Sequence, residues 1–61
     1  MINLSMNIAL LVSIINTYLR DKYDDLLNLC EEEDINYNDL LAILCKNNYI
    51  YDESINQIKL K

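Results

Sequence analysis

The strongest candidates for nucleophilic or metal-binding chemistry in this sequence are two cysteines, Cys30 and Cys45, because the chain has no histidine. Two thiols cannot complete a four-ligand zinc site without carboxylates or a second chain. Both cysteines fall on the apolar faces of predicted helices, and no Lys, Arg or His is placed to activate a thiol. We therefore expect both to pack as small apolar side chains, kept reduced in an intracellular setting.

Four consecutive acids at positions 31–34 are of the type that binds hard cations. Successive residues of a helix point about 100 degrees apart, so these four carboxylates cannot converge on one ion. The sequence has no glycine, and therefore none of the Gly-rich loops that bind phosphates. It predicts a non-enzymatic protein with no metal, no cofactor and no evident small-molecule substrate.

Ten acids and five bases give the chain a net charge of −5. A field of this sign repels phosphate backbones and anionic lipid surfaces, which makes nucleic acid and membrane poor candidate partners. A basic protein surface is the natural complement, although the acids also serve simply to keep a small chain soluble while 52% of its residues are hydrophobic.

The apolar stretch near the N-terminus is tested first as a targeting or membrane segment. No Lys or Arg precedes the run from Ile8 to Ile15, and no small-residue cleavage site follows it. Asn, Ser and Thr interrupt the longer stretch from Ile2 to Leu19, which makes it too polar to cross a lipid bilayer alone. We therefore expect a cytoplasmic, soluble protein.

The same stretch predicts helix one, over about residues 6–19. One apolar face with spacing i, i+3, i+4 and i+7 consists of Ile8, Leu11, Val12, Ile15 and Leu19. A second apolar stripe beside it contains Met6, Leu10 and Ile14. Two short helices and a hairpin cannot cover so wide an apolar surface, so these three residues are candidate interface residues of a homodimer.

Helix two is predicted over about residues 22–33 and helix three over about 37–46. Asp21 is the expected N-cap of helix two, and Asn36 is the expected N-cap of helix three. Leu26, Leu27, Leu29 and Cys30 are expected to point inward from helix two. The apolar face of helix three is predicted to contain Leu40, Leu41, Ile43, Leu44 and Cys45.

The period of the sequence changes after helix three. Asn48 is suited to a left-handed helix cap, where Asn commonly replaces Gly. Tyr49, Ile50 and Tyr51 favour a β-strand, and Gln57 to Leu60 alternate as a half-buried returning strand. Residues 1–61 are therefore predicted to form one domain, mainly α with a C-terminal β-hairpin at about 49–60, in a winged-helix-like arrangement.

Helix-turn-helix spacing of helices two and three makes a DNA-binding regulator one alternative. A recognition helix needs Arg, Lys, Asn or Gln toward the bases. Helix three offers only Asn38, Asp39, Ala42 and Lys46 on its outer face. The hairpin would add two bases against two acids, Lys59 and Lys61 against Asp52 and Glu53. Charge therefore disfavours this alternative.

Arg20 and Asp21 lie where helices one and two are expected to join, and a cap with an ion pair would hold that junction. Arg20 is also a candidate interface residue, since Arg is common at binding hot spots. Near the hairpin turn, the amides of Asn56 and Gln57 are expected to serve the turn itself, with bonds back to Asn16 or Thr17 as the alternative.

The stretch from Leu10 to Gln57 resembles a family of very short bacterial proteins known only as a domain of unknown function. The shared residues are Asn16, Thr17, Leu19, Arg20, Asp21, Leu29, Cys30, Asp34, Ile35, Tyr49, Tyr51, Asp52, Asn56 and Gln57. The family usually has Gly where Asn48 stands, and Pro near the start of helix one, which is absent here. The resemblance supports the fold and implies no activity.

The expected function is thus that of a small acidic protein-interaction module that self-associates through helix one. The main alternative is an acidic inhibitor or regulator of a nucleic-acid-handling protein, which would occupy a basic groove on that protein.

Overall fold

Three helices followed by a two-stranded antiparallel hairpin form the computed structural model, which describes residues 2–61. This confirms the predicted order of elements. The helices and strands are α1 (Ile8–Asp21), α2 (Leu26–Glu32), α3 (Tyr37–Lys46), β1 (Tyr49–Asp52) and β2 (Gln57–Leu60).

Each helix begins at an Asn or Asp whose side chain accepts a hydrogen bond from a backbone N–H of the first turn. Asn7 caps α1 and Asn36 caps α3, the latter as predicted. The predicted Asp21 cap of helix two is wrong, because Asp21 is the last residue of α1. Asp25 caps α2, and its Oδ1 accepts from the Asn28 N–H at 2.7 Å.

Helix two is therefore shorter than predicted, and its buried face is narrower. With the cap at Asp25, the buried residues Leu26, Leu29 and Cys30 follow the i, i+3, i+4 spacing of one face. Leu27 lies about 100 degrees away from Leu26 on the helix and is 51% exposed, so its predicted inward position is wrong.

The buried face of α1 is the predicted one, formed by Leu11, Val12, Ile15 and Leu19. The chain that precedes this helix also contributes to the core. Ile2 is buried, and Leu4 and Met6 pack against the core from the same segment. This segment supplies apolar cover that a count of helices and strands alone does not include.

The two cysteines have different environments. Cys30 is buried in the core, as predicted, and burial raises the pKa of its thiol. Cys45 is exposed, so the prediction that it packs in the core is wrong. Leu40 and Leu44 define the buried line of α3, and the residue after Leu44 is turned about 100 degrees away from it.

The hairpin pairs Tyr51 with Ile58 and Tyr49 with Leu60, and a loop of residues 53–56 joins its strands. Asn48 (φ 67°) and Asn56 (φ 53°) adopt the left-handed conformation, which Asn tolerates better than most residues. Asn48 follows the end of α3 and so takes the place of Gly, as predicted. The hairpin begins there, since the Lys61 N–H donates to the Asn48 carbonyl at 2.9 Å.

Candidate functional site

A side-chain amide of α1 binds the outer edge of β2. The Asn16 Oδ1 accepts from the Ile58 N–H at 2.7 Å, and the Asn16 Nδ2 donates to the Ile58 carbonyl at 3.0 Å. Asn16 therefore satisfies the same two backbone groups that a neighbouring strand would bind. The Gln57 Nε2 also donates to the Asn16 carbonyl at 3.2 Å, which matches the alternative expectation for this amide.

Asn56 joins the hairpin loop to the end of α1. Its Nδ2 donates to the carbonyls of Leu19 and Tyr23 at 3.0 and 3.2 Å. Its Oδ1 accepts from the Tyr51 hydroxyl at 2.6 Å. The ordinary pKa of a tyrosine already keeps this hydroxyl protonated at neutral pH, and burial raises the pKa of Tyr51 further. Four of the residues that carry the family resemblance, Asn16, Tyr51, Asn56 and Gln57, thus dock the hairpin.

This docking leaves β1 with a free edge. Both the N–H and the carbonyl of Ile58 point away from β1, toward Asn16, so Ile58 and Tyr51 form a non-hydrogen-bonded pair. The N–H and carbonyl of Tyr51 then point away from β2, and those of Tyr49, two residues earlier, point the same way. Within residues 2–61 the sheet has two strands, so no third strand pairs with these groups.

A groove of about 430 Å³ lies between α3 and this free edge. Three consecutive residues of β1 line this groove. Side chains alternate between the two faces of a strand, so side chains on one face alone cannot account for all three, and the edge of the strand itself contributes. We call it the β1 groove. Its lining residues are Tyr37, Leu41, Leu44, Cys45, Tyr49, Ile50, Tyr51, Glu53 and Lys61.

The two ends of the β1 groove carry opposite charges. A second cavity of about 370 Å³ shares Tyr37, Tyr51 and Glu53 with the groove and adds Asp24 and Asp25. Glu53, Asp24 and Asp25 form what we call the acidic end.

Lys61 lies at the other end, beside the start of β1, where its Nζ is 3.4 Å from the Cys45 Sγ. The expectation that no base stands near a thiol is therefore wrong. The sequence separates this pair by 16 residues, and only the returning strand of the hairpin brings them together.

The four candidate interface residues do not line this groove. Leu10 is 53% exposed, whereas Met6 and Ile14 are half-buried against the core. Arg20 is exposed and forms a bidentate ion pair with Asp21, at 2.9 and 3.0 Å. Both residues belong to α1. The pair therefore lies within one helix and does not hold the junction of helices one and two, contrary to the prediction. An exposed pair of this kind stabilises little.

The acids at positions 31–34 do not act together. The Tyr23 hydroxyl donates to Glu33, and this bond raises the pKa of Tyr23. Lys22 Nζ lies 3.7 Å from the same carboxylate and above the rings of Tyr18 and Tyr23. Glu31 and Glu32 are exposed. No cluster of three or more potential metal ligands is present among residues 2–61.

The predicted outer face of α3, with Asn38, Asp39, Ala42 and Lys46, is exposed. Of the two hairpin lysines, Lys59 forms an ion pair within the hairpin, with its Nζ 2.7 Å from the Asp52 Oδ2. That ion pair further reduces the positive charge available for a phosphate backbone.

The family model described as "Domain of unknown function (DUF4250)" matches residues 5–58. The chain belongs to this family. No curated protein and no solved structure matches the chain. None of the helices in residues 2–61 combines the length and the apolar character that a membrane span requires.

Sequence reasoning assigned Tyr49 and Tyr51 to a β-strand and did not identify the groove that they border. The available signal was the absence of Lys and Pro from the three residues Tyr49, Ile50 and Tyr51. Natural sheet edges usually carry such residues, which prevent pairing with another strand. The contribution of α3 carried no such signal, because Tyr37, Leu41 and Cys45 form a groove wall only once β1 lies beside them.

Proposed function

We propose that this DUF4250 protein is a non-enzymatic protein-interaction module that receives an extended segment of a partner in the β1 groove. The observation that carries this proposal is the free edge of β1, which faces a groove instead of open solvent. Strand addition of this type obtains affinity from backbone hydrogen bonds and specificity from pockets for alternate side chains.

The lining of the groove supports an apolar segment. Tyr37, Leu41 and Tyr49 are half-buried and pack against the core, so they form fixed walls with apolar surface still accessible. Aromatic residues are enriched at protein interfaces because a ring buries a large area with few rotatable bonds. Alternate side chains of an added strand would contact these walls.

The acidic end supports a basic residue at one end of the bound segment. Asp24, Asp25 and Glu53 are all exposed there, and a Lys or Arg would gain charge-assisted hydrogen bonds to them. This complementarity also retains the idea of an acidic regulator of a basic protein, such as one that handles nucleic acid. A cytoplasmic setting fits the two free thiols.

Self-association through α1 is a second candidate, and the exposure of Leu10 is the observation that favours it. The half-burial of Met6 and Ile14 reduces the apolar area available there. We therefore assign the main interaction surface to the β1 groove.

Cys45 provides a direct test, because it lines the groove and is exposed while Cys30 is buried. Heptapeptides selected on the folded protein from a random phage-displayed library should alternate apolar residues and carry a terminal Lys or Arg. Each should slow the alkylation of Cys45 by iodoacetamide and leave Cys30 unreactive.

Two tryptophan substitutions on α3 provide the matched comparison. Cys45→Trp fills the groove, whereas Ala42→Trp places the same indole on the same helix at an exposed position that does not line the groove. We expect peptide affinity to fall at least tenfold for Cys45→Trp and to persist for Ala42→Trp. Peptides that bind both variants equally, or a monomeric chain that selects no peptides at all, would contradict the proposal.

A further inference from the structure

We infer that the segment received by the β1 groove is β1 of a second copy of this chain, added antiparallel about a two-fold axis at Ile50. This inference rests on the function proposed above and names its partner. The result would be a homodimer with a continuous four-stranded sheet, and its interface would differ from the α1 surface predicted from the sequence.

The backbone groups match this arrangement. Tyr49 and Tyr51 both direct their N–H and carbonyl toward the free edge. An antiparallel copy centred on Ile50 places Tyr49 opposite Tyr51 of the second copy, and Tyr51 opposite Tyr49 of the second copy. Each of these facing pairs exchanges two hydrogen bonds. The pairing thus uses every outward-pointing backbone group of the two tyrosines on both copies.

Ile50 is a further reason for this register. It is 37% exposed, although its neighbours Tyr49 and Tyr51 are half-buried. On the two-fold axis its side chain would face the same residue of the second copy, in a non-hydrogen-bonded pair whose Cβ atoms lie about 4.5–5.5 Å apart. The central part of β1 also lacks Lys, Pro or a bulge, the devices that usually keep sheet edges from pairing.

The charges at the ends of the groove favour a second copy over an unrelated segment. Lys61 lies beside the start of β1, and Asp24, Asp25 and Glu53 lie beyond its other end. A two-fold axis at the middle of β1 exchanges these ends. Lys61 of each copy then approaches the acidic end of the other, which offsets part of the repulsion between two chains of net charge −5.

Sedimentation velocity of the full chain across micromolar concentrations tests the inference, with two glutamate substitutions compared. Ile50→Glu puts two carboxylates face to face on the axis, while Ile55→Glu makes the same change at an exposed loop position, 57% exposed, away from the edge. We expect a dimer for the natural chain and for Ile55→Glu, and dimerisation at least tenfold weaker for Ile50→Glu. Circular dichroism would verify that both variants fold.

Charge reversal makes the test specific to the axis. Ile50→Lys should weaken dimerisation to a similar degree, whereas a mixture of the Ile50→Lys and Ile50→Glu proteins should form a heterodimer, because opposite charges then face each other. Oxidation of Ile50→Cys in a Cys45→Ser background should give a disulfide-linked dimer, and Ile55→Cys in the same background should not.

Three results would overturn the inference: a natural chain that is monomeric throughout, a dimer unaffected by Ile50→Glu, or a mixture that fails to restore association. A dimer that instead dissociates on Leu10→Glu would assign the interface to α1. The peptide selection and the protection of Cys45 are measured independently. A monomer whose groove binds peptides would therefore contradict the second copy and leave the proposed function standing.

Discussion

Three asparagines determine how the hairpin of this protein is held, and each does so differently. Asn16 replaces a neighbouring strand at the edge of β2, and Asn56 combines a left-handed backbone with three side-chain hydrogen bonds. Asn48 has the same backbone conformation, but no hydrogen bond involves its side chain within residues 2–61. The residue type is the same, and the tertiary contacts set its contribution.

The same substitution at two of these positions separates conformation from bonding. Asn56→Gly keeps a backbone suited to positive φ and loses the bonds to Leu19, Tyr23 and Tyr51, so we expect a loss of about 2 kcal/mol in the free energy of unfolding. Asn48→Gly loses no side-chain bond and should change that free energy by less than about 0.5 kcal/mol. Urea unfolding followed by circular dichroism measures both, and equal losses would contradict the assigned role of Asn56.

Asp52 gives the fold a dependence on acid pH. Hydrogen bonds from Lys59 and Ser54 lower the pKa of this carboxyl from 3.8 to about 2 in the folded protein. The carboxylate is therefore favoured by folding, and its contribution is complete above about pH 4 and is lost as the pH falls toward 2.

We expect Asp52→Asn to flatten the decline in unfolding free energy between pH 4 and 2, relative to the natural chain. Glu31→Gln removes one carboxylate at an exposed position and serves as the control. Urea titrations at several pH values measure the slopes. A decline as steep in Asp52→Asn as in the natural chain would show that this carboxyl does not couple folding to pH.

At the scale of elements, α2 shows that residue type alone does not identify a helix cap. Two aspartates, Asp21 and Asp25, are equally suitable caps by type. Continuation of α1 to Asp21 leaves a turn at residues 22–25, where the N–H groups of Lys22 and Tyr23 both donate to the Tyr18 carbonyl. α2 then starts at Leu26, and it buries Leu26, Leu29 and Cys30.

Adjacent leucines test this position of the helix. Leu26→Ala removes a fully buried side chain and should cost about 2–5 kcal/mol of unfolding free energy. Leu27→Ala, one residue later and half-exposed, should cost less than about 1 kcal/mol. Thermal or urea unfolding distinguishes the two, and a larger loss at Leu27 than at Leu26 would contradict the observed buried face of α2.

At the scale of the whole molecule, the segment that precedes α1 supplies part of the hydrophobic core. The segment from Ile2 to Met6 adds to the core that the helices and hairpin form, so the apolar width of α1 is no longer the best evidence for a partner. The unsatisfied surface is instead the free edge of β1 and the groove beside it. The tests of partner binding and of pairing about Ile50 belong to this scale, because both depend on surfaces built by several elements.

The sequence by itself determined the order of helices and strands, the caps at Asn36 and Asn48, and the buried face of α1. These features depend on periodicity and on hydrogen bonds between residues close along the chain, which residue type and spacing largely specify. The tertiary structure decided which aspartate caps α2, that Cys45 is exposed beside Lys61, and that β1 keeps a free edge over a groove. Those outcomes depend on which elements become neighbours, because a side chain is buried, and a strand edge paired, only by groups that come from elsewhere in the chain.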